Sequence, residues 1–378
     1  MNHDFGRQWD RHHTGSKKWA QYPGDVLPLW LADMDFAVAP AILDALTARL
    51  QHPLLGYSVA QDELRDTLVQ HLKHAYGWVV EPQDLVLLPG VEPGISMALK
   101  GLVPPGARVV LQTPNHQPLL AAPGYWQHSL VELPFGADGS VDPARLAQAT
   151  EGAGAFLLSN PHNPIGKVFD HAELAAIAQA CVANDLLLIS DEIHADILFD
   201  GRRHIPVAAL NTDIAQRTVT LMSASKAYNI AGMKTAFAII QNPELRQRFN
   251  ASRLGMVDSV NALGLEATRA AYADAGEWLQ QANAYLQGNR DFLVQQLRER
   301  IPRIRLQVPQ GTFLAWLDCR ALGLDNPQQF FLEQACVAFS AGQDFGAAGS
   351  GFVRLNFGCP RAMLAQALDR MEASLRGR

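Results

Sequence analysis

With 378 residues, of which 48% are hydrophobic and 18% charged, the chain has ample core material and is too long for one simple core, so two structural units are expected. Its net charge of -6 argues against general nucleic-acid affinity, which needs a clustered positive surface. Cys181, Cys319, Cys336 and Cys359 lack CxxC spacing, the N-terminus has no apolar h-region, and no apolar run approaches the ~20 residues of a membrane span; a cytoplasmic protein with reduced thiols and no membrane contact is expected.

Residues 1–36 are polar and irregular, ending in Leu29-Trp30-Leu31-Ala32-Asp33-Met34-Asp35-Phe36, whose aromatic and acidic alternation suits an arm packed on another surface. Pro40 opens a helical pattern to about residue 50, proline being tolerated in a first turn. Leu55-Gly56-Tyr57 reads as a turn and 62–76 as an amphipathic helix. From about residue 84, short apolar runs at 85–88, 108–111, 156–158, 186–189, 218–222 and 236–240 alternate with helical stretches such as 170–184. Such runs, apolar on both faces, predict an α/β fold with a mostly parallel central sheet and helices on both faces. Helical patterning fills 243–300, with one long helix around 279–297. A smaller α+β pattern follows, with strands expected at 304–308, 313–317 and 352–355 and helices at 327–336 and 360–375. The expected division is an N-terminal arm over 1–45, a large unit over 46–285 and a small C-terminal unit over 286–378.

Ligands of open α/β sheets bind beyond the carboxyl ends of the strands. Four runs end in polar clusters: Thr113-Pro114-Asn115-His116, Ser159-Asn160-Pro161-His162-Asn163-Pro164-Ile165-Gly166, Ser190-Asp191-Glu192-Ile193-His194 and Ser223-Ala224-Ser225-Lys226. Lys226 stands among small hydroxyl and apolar residues, where poor solvation lowers its proton affinity and frees an amine nucleophile. A lysine that captures an aldehyde and an acid that pairs with a ring nitrogen are what pyridoxal phosphate needs, and Asp191 is the acid. Asn163 and His194 suit the ring's phenolic oxygen, and His116 its face. Ser223 and Ser225 offer hydroxyls to the phosphate. The backbone N–H groups of Val91 and Glu92 could also donate to it, where Pro89-Gly90-Val91-Glu92-Pro93-Gly94 opens a helix.

Arg354, inside the apolar run Phe352-Val353-Arg354-Leu355-Asn356, calls for an anionic partner, most commonly a carboxylate held bidentately. Plainer readings stand beside these: a surface lysine, a turn at Asp191-Glu192, turn-forming Asn-Pro pairs, or an ordinary helix start at Val91-Glu92-Pro93. Asp191, His194 and Asp196 could instead ligate a metal, although no HExxH or paired-histidine spacing supports that.

These motifs resemble the fold-type I pyridoxal-phosphate enzymes and, within them, the MalY/PatB-type cystathionine β-lyases (cysteine-S-conjugate β-lyases). The resemblance runs nearly end to end, through the 29–36 motif, 160–166, Ser190-Asp191-Glu192-Ile193-His194-Ala195-Asp196, Lys226-Ala227-Tyr228-Asn229-Ile230-Ala231-Gly232 and Arg354-Leu355-Asn356. It implies the type I pyridoxal-phosphate transferase fold, with Lys226 joined to the cofactor and Asp191 on its ring nitrogen. Asn163 and His194 would hold the phenolic oxygen and Arg354 the α-carboxylate of an amino-acid substrate. Tyr57 would reach the phosphate of a neighbouring subunit, so a homodimer with shared sites is implied, the arm joining the small domain.

Two positions depart from the family. His116 replaces a stacking tyrosine, with less area and a titratable charge. Glu92 replaces a small apolar residue beside the phosphate, so it is expected to point away or to pair with a cation. The implied reaction is β-elimination on cystathionine or a related S-substituted cysteine, giving pyruvate, ammonia and a thiol. An aminotransferase would use the same residues. A family member with an added regulatory partner, and a cofactor-free α/β protein, are the remaining readings.

Overall fold

The computed structural model describes residues 3–136 and 138–376. Strand β1 (Leu27–Pro28) lies in the arm. The apolar runs then become β2 (Leu85–Leu88), β3 (Arg108–Thr113), β4 (Ser129–Pro134), β5 (Ala155–Ser159), β6 (Leu187–Asp191), β7 (Thr218–Met222) and β8 (Ala236–Ile239). They form one seven-stranded sheet in the order β2-β8-β7-β6-β5-β3-β4. Every residue of β5 to β8 is buried, as runs of apolar and β-branched residues between two helical layers require. Strand β4 is an addition to the expected strands: it is the edge strand and mostly open to solvent, so its sequence lacks a continuous apolar run.

The sheet is parallel except at β8, which runs antiparallel to both neighbours. Two reversals cancel, so β2 and β7 run the same way, with Leu88 and Met222 facing Ala236 and Phe237 of β8. Ser159 of β5, Asp191 of β6 and Leu221 of β7 are aligned across the sheet. The segments after β2, β3, β5, β6 and β7 therefore leave by one edge. Helix Val91–Leu102 covers one face of the sheet and helix His171–Ala183 the other, each over its own apolar cluster.

Helix Gly276–Arg300 leads to the C-terminal part, where β9 (Arg305–Leu306), β10 (Leu314–Asp318), β12 (Ser340–Ala341) and β13 (Phe352–Asn356) form an antiparallel sheet ordered β12-β13-β10-β9. The run at 304–308 yields only the two residues of β9, and Val308 is exposed. Between β10 and β12 lies β11 (Val337–Ala338), which pairs in parallel with β1 of the arm, Leu27 opposite Val337. Leu29, Met34 and Phe36 of the arm share an apolar cluster with Phe313, Leu355, Phe357 and Leu364. Burial of a side chain of this size stabilises by about 1.5–3 kcal/mol, enough to fix the arm against the C-terminal sheet. Among the described residues no helix is long and apolar enough to cross a membrane.

Candidate active site

Lys226 follows β7 on the short helix Ala224–Ala227, whose start is capped by Ser223: Ser223 Oγ accepts the Ser225 N–H at 3.0 Å. The turn directs the Lys226 amine toward the arm, where Nζ donates to Ala32 O at 2.8 Å. Burial lowers the Lys226 pKa to about 8, with Arg354 acting in the same direction and Asp33, Asp191 and Glu92 opposing. Near neutral pH a usable share of the amine is therefore unprotonated.

Asp191 ends β6 beside it. Its carboxylate accepts the Ile193 N–H at 3.2 Å, and burial raises its pKa to about 7, with Glu92 and Glu192 adding to the rise and Lys226 opposing it. His194 is held well below the usual histidine range by burial, then by Lys226, His116 and Arg354. Burial, with Arg354 and Lys226, also lowers His116 to about 3. The titratable charge expected at His116 is thus absent near neutral pH, because two cations share its desolvated surroundings.

Arg354 reaches the same cleft from β13. Its Nη1 donates to Asn163 Oδ1 at 3.0 Å, and its Nη2 to Trp30 O at 2.9 Å and Ser340 Oγ at 3.1 Å. The guanidinium lies 4.8 Å from the ring centre of Phe345, and burial lowers its pKa only to about 10, so it stays cationic. Phe345 O in turn accepts the Asn115 N–H at 2.9 Å, and Asn115 Oδ1 accepts the His116 N–H at 2.8 Å. One chain of contacts thus links the loops after β3 and β5 to β13.

The sequence pattern of aminotransferase class I and II matches residues 25–371. The chain belongs to this family. Cystathionine beta-lyase PatB of Bacillus subtilis is 33% identical over 98% of this chain and 100% of its own. The solved structure of OvoB is 39% identical, with a TM-score of 0.95 and 100% of both chains covered. The pyridoxal-phosphate-bound C-S lyase of Staphylococcus hominis is 31% identical, with a TM-score of 0.93 over 100% of this chain and 99% of that one.

The chemistry of this aminotransferase-family cleft fits pyridoxal phosphate. Asp191 is a carboxylate whose pKa is raised by burial and which has no cation in hydrogen-bond contact among the described residues, a need that a protonated ring nitrogen meets. His194 Nδ1 and Arg354 Nε are buried without a hydrogen-bond partner, and Asn163 uses its Oδ1 on Arg354, leaving Nδ2 to donate. The first N–H groups of helix Val91–Leu102 point out of its N-terminus at the sheet edge where Lys226 emerges.

Lys226, Asp191, His194, His116, Asn163 and the 91–92 helix start thus lie at one sheet edge, which Arg354 faces from β13. Four further expectations meet the structure as follows. Ser223 is not a free phosphate donor, because its hydroxyl hydrogen goes to Thr235 O at 2.6 Å while its oxygen caps the helix; Ser225 stays partly open. Glu92 is exposed and forms no ion pair among the described residues, yet its charge is felt at both Asp191 and Lys226. Tyr57 is fully exposed beside Arg49, Gln61 and Arg269, so one chain does not bring it to the cleft. Asp196 turns to His71 and Tyr76 and does not join Asp191 and His194 in a metal site. The arm carbonyls, Ser340 and Phe345 carry no signal in the sequence. Backbone acceptors leave no signature in residue type, and Ser340 faces Arg354 only through pairing of the two-residue strand β12 with β13.

Proposed function

We propose that the chain is a pyridoxal-phosphate-dependent C–S β-lyase that acts on cystathionine or a related S-substituted cysteine and releases pyruvate, ammonia and a thiol. The observation that carries this is the convergence of a weakly basic Lys226, the buried Asp191 and the cationic Arg354 on one cleft.

Once bound, pyridoxal phosphate supplies an aldehyde for the substrate amine and a ring that takes up the electron pair left when the α-proton departs. Asp191 would keep the proton on the ring nitrogen. Asn163 Nδ2 and His194 would serve the phenolic oxygen, the Val91 and Glu92 N–H groups would serve the phosphate, and neutral His116 would offer its ring to the cofactor without repelling Arg354. Arg354 grips the α-carboxylate and so fixes which bond of the α-carbon faces Lys226. Its Nζ, poised near pH 8, removes the α-proton. The thiolate on the β-carbon then leaves with its bonding pair.

The same reading makes the active form a cytoplasmic homodimer in which Tyr57 serves the partner's phosphate site. It also divides the chain into the arm at 1–45, a large unit at 46–285 and a small unit at 286–378, a division supported by the pairing of β1 with β11. The test is incubation of the cofactor-loaded protein with cystathionine and no keto acid. Continuous pyruvate release is expected, with Lys226→Ala losing both turnover and the visible absorbance of bound cofactor. A single turnover that stops without keto acid would make the protein an aminotransferase, and a colourless, inactive protein would end the reading altogether.

A further inference from the structure

Four consecutive arm carbonyls accept from side chains, and two of them, Trp30 O and Ala32 O, do so at the cleft. Trp30 O accepts from Arg354 Nη2 at 2.9 Å and from Ser340 Oγ at 2.7 Å. Leu31 O accepts from Asn356 Nδ2 at 2.6 Å, Ala32 O from Lys226 Nζ at 2.8 Å, and Asp33 O from Asn356 Nδ2 at 2.9 Å and Lys18 Nζ at 2.8 Å. A tight turn closed by Asp33 N–H to Leu31 O at 2.8 Å makes this possible.

An arginine has five N–H donors, arranged so that a carboxylate can be held by Nε with Nη2 or by Nη1 with Nη2. Both pairs include Nη2, and both of its hydrogens are in use, one on Trp30 O and one on Ser340 Oγ. Neither two-donor edge is free for a carboxylate, so one of these bonds must open. Trp30 O is the partner that can be released without loss, because it keeps the hydrogen of the Ser340 hydroxyl. A part-buried carbonyl left with no donor would instead carry a desolvation cost. Ser340 stands directly opposite Arg354 in the pairing of β12 with β13, so the hydroxyl stays in place during the exchange.

We propose that Ser340 is a positioning residue for substrate recognition: its hydroxyl retains the Trp30 carbonyl when Arg354 transfers Nη2 to the substrate α-carboxylate. The arm turn is then a latch on Arg354 that the carboxylate opens. The proposal rests on the reading of Arg354 under Proposed function.

Its test compares Ser340→Ala and Ser340→Thr in the cofactor-loaded protein. Ser340→Ala is expected to raise KM for an S-substituted cysteine roughly tenfold with kcat within twofold, because Trp30 O would lose its remaining donor. The same loss should appear in the affinity for L-alanine, read from the cofactor's absorbance without turnover. Ser340→Thr keeps the hydroxyl and should restore both. An unchanged KM in Ser340→Ala, with or without a lower Tm, overturns the proposal, as does an equal rise in the two variants. Absence of lyase activity in the native protein would instead sink the functional reading on which the proposal stands.

Discussion

Asp191 carries a charge that its surroundings make costly until the cofactor arrives. Its pKa rises from 3.8 to about 7, chiefly through burial. A folded carboxyl with a raised pKa holds its proton more tightly than the unfolded chain does. Its contribution to stability is therefore intact below about 3.8 and is lost as pH rises through about 7. Asp191→Asn removes the charge and keeps the shape, so the cofactor-free variant should melt a few degrees above the native chain at pH 8. That gap should close toward pH 4, a trend that circular dichroism melts across this range would read directly. Loaded with cofactor, the same variant should lose at least about a hundredfold in turnover, since an uncharged amide cannot keep the ring nitrogen protonated. A variant no more stable than the native chain at pH 8 would show that Asp191 is already paired.

Among the elements, the arm illustrates how much depends on groups far from the chemistry. Asp35 accepts from Lys18 Nζ at 2.6 Å, Arg11 Nη1 at 2.6 Å and Trp19 Nε1 at 2.9 Å, and Lys18 is fully buried. Asn229, three residues beyond Lys226, donates to Met34 O and Phe36 O at 3.0 and 2.8 Å. Lys18→Met takes one of two cations from a buried carboxylate that keeps Arg11 and Trp19, so it should cost about 1–3 kcal/mol in urea unfolding. The double variant Lys18→Met/Asp35→Leu should recover part of that loss, and a cost as large as or larger than that of Lys18→Met would refute the pairing argument. The packing of the arm was legible in the 29–36 motif, but the buried Lys18 was not, because burial of a lysine depends on partners elsewhere in the chain. The sheet was legible because runs such as 218–222 are apolar on both faces, and the cleft because its residues follow strand ends. Helix 62–76 matched at both ends, with Asp62 and Glu63 in its first turn and Gly77 in the left-handed conformation after its last. The capping role of Ser223 was hidden, since a serine after a strand offers the same hydroxyl to a phosphate or to its own backbone.

For the whole molecule, the segment around Tyr57 is the part a single chain leaves unexplained. Leu54, Leu55, Tyr57 and Val59 are all exposed on one irregular stretch, an apolar surface of the kind that marks a protein contact. In a two-fold dimer the same patch serves both copies, and Tyr57 of each can complete the other's phosphate site. In the proposed homodimer the two substitutions Lys226→Ala and Tyr57→Ala would be complementary across subunits. Lys226→Ala alone should be inactive at any cofactor concentration, and Tyr57→Ala inactive when cofactor is limiting. Mixed dimers of the two would pair an intact Lys226 in one subunit with an intact Tyr57 from the other, and so regenerate one native site in two. With random assortment about half the dimers are mixed, and about a quarter of native activity should return at limiting cofactor when the variants are co-expressed. If Tyr57 served its own chain, each mixed dimer would carry one site without the lysine and one without the tyrosine. No activity would then return, and the shared-site arrangement would be wrong even with the lyase chemistry intact.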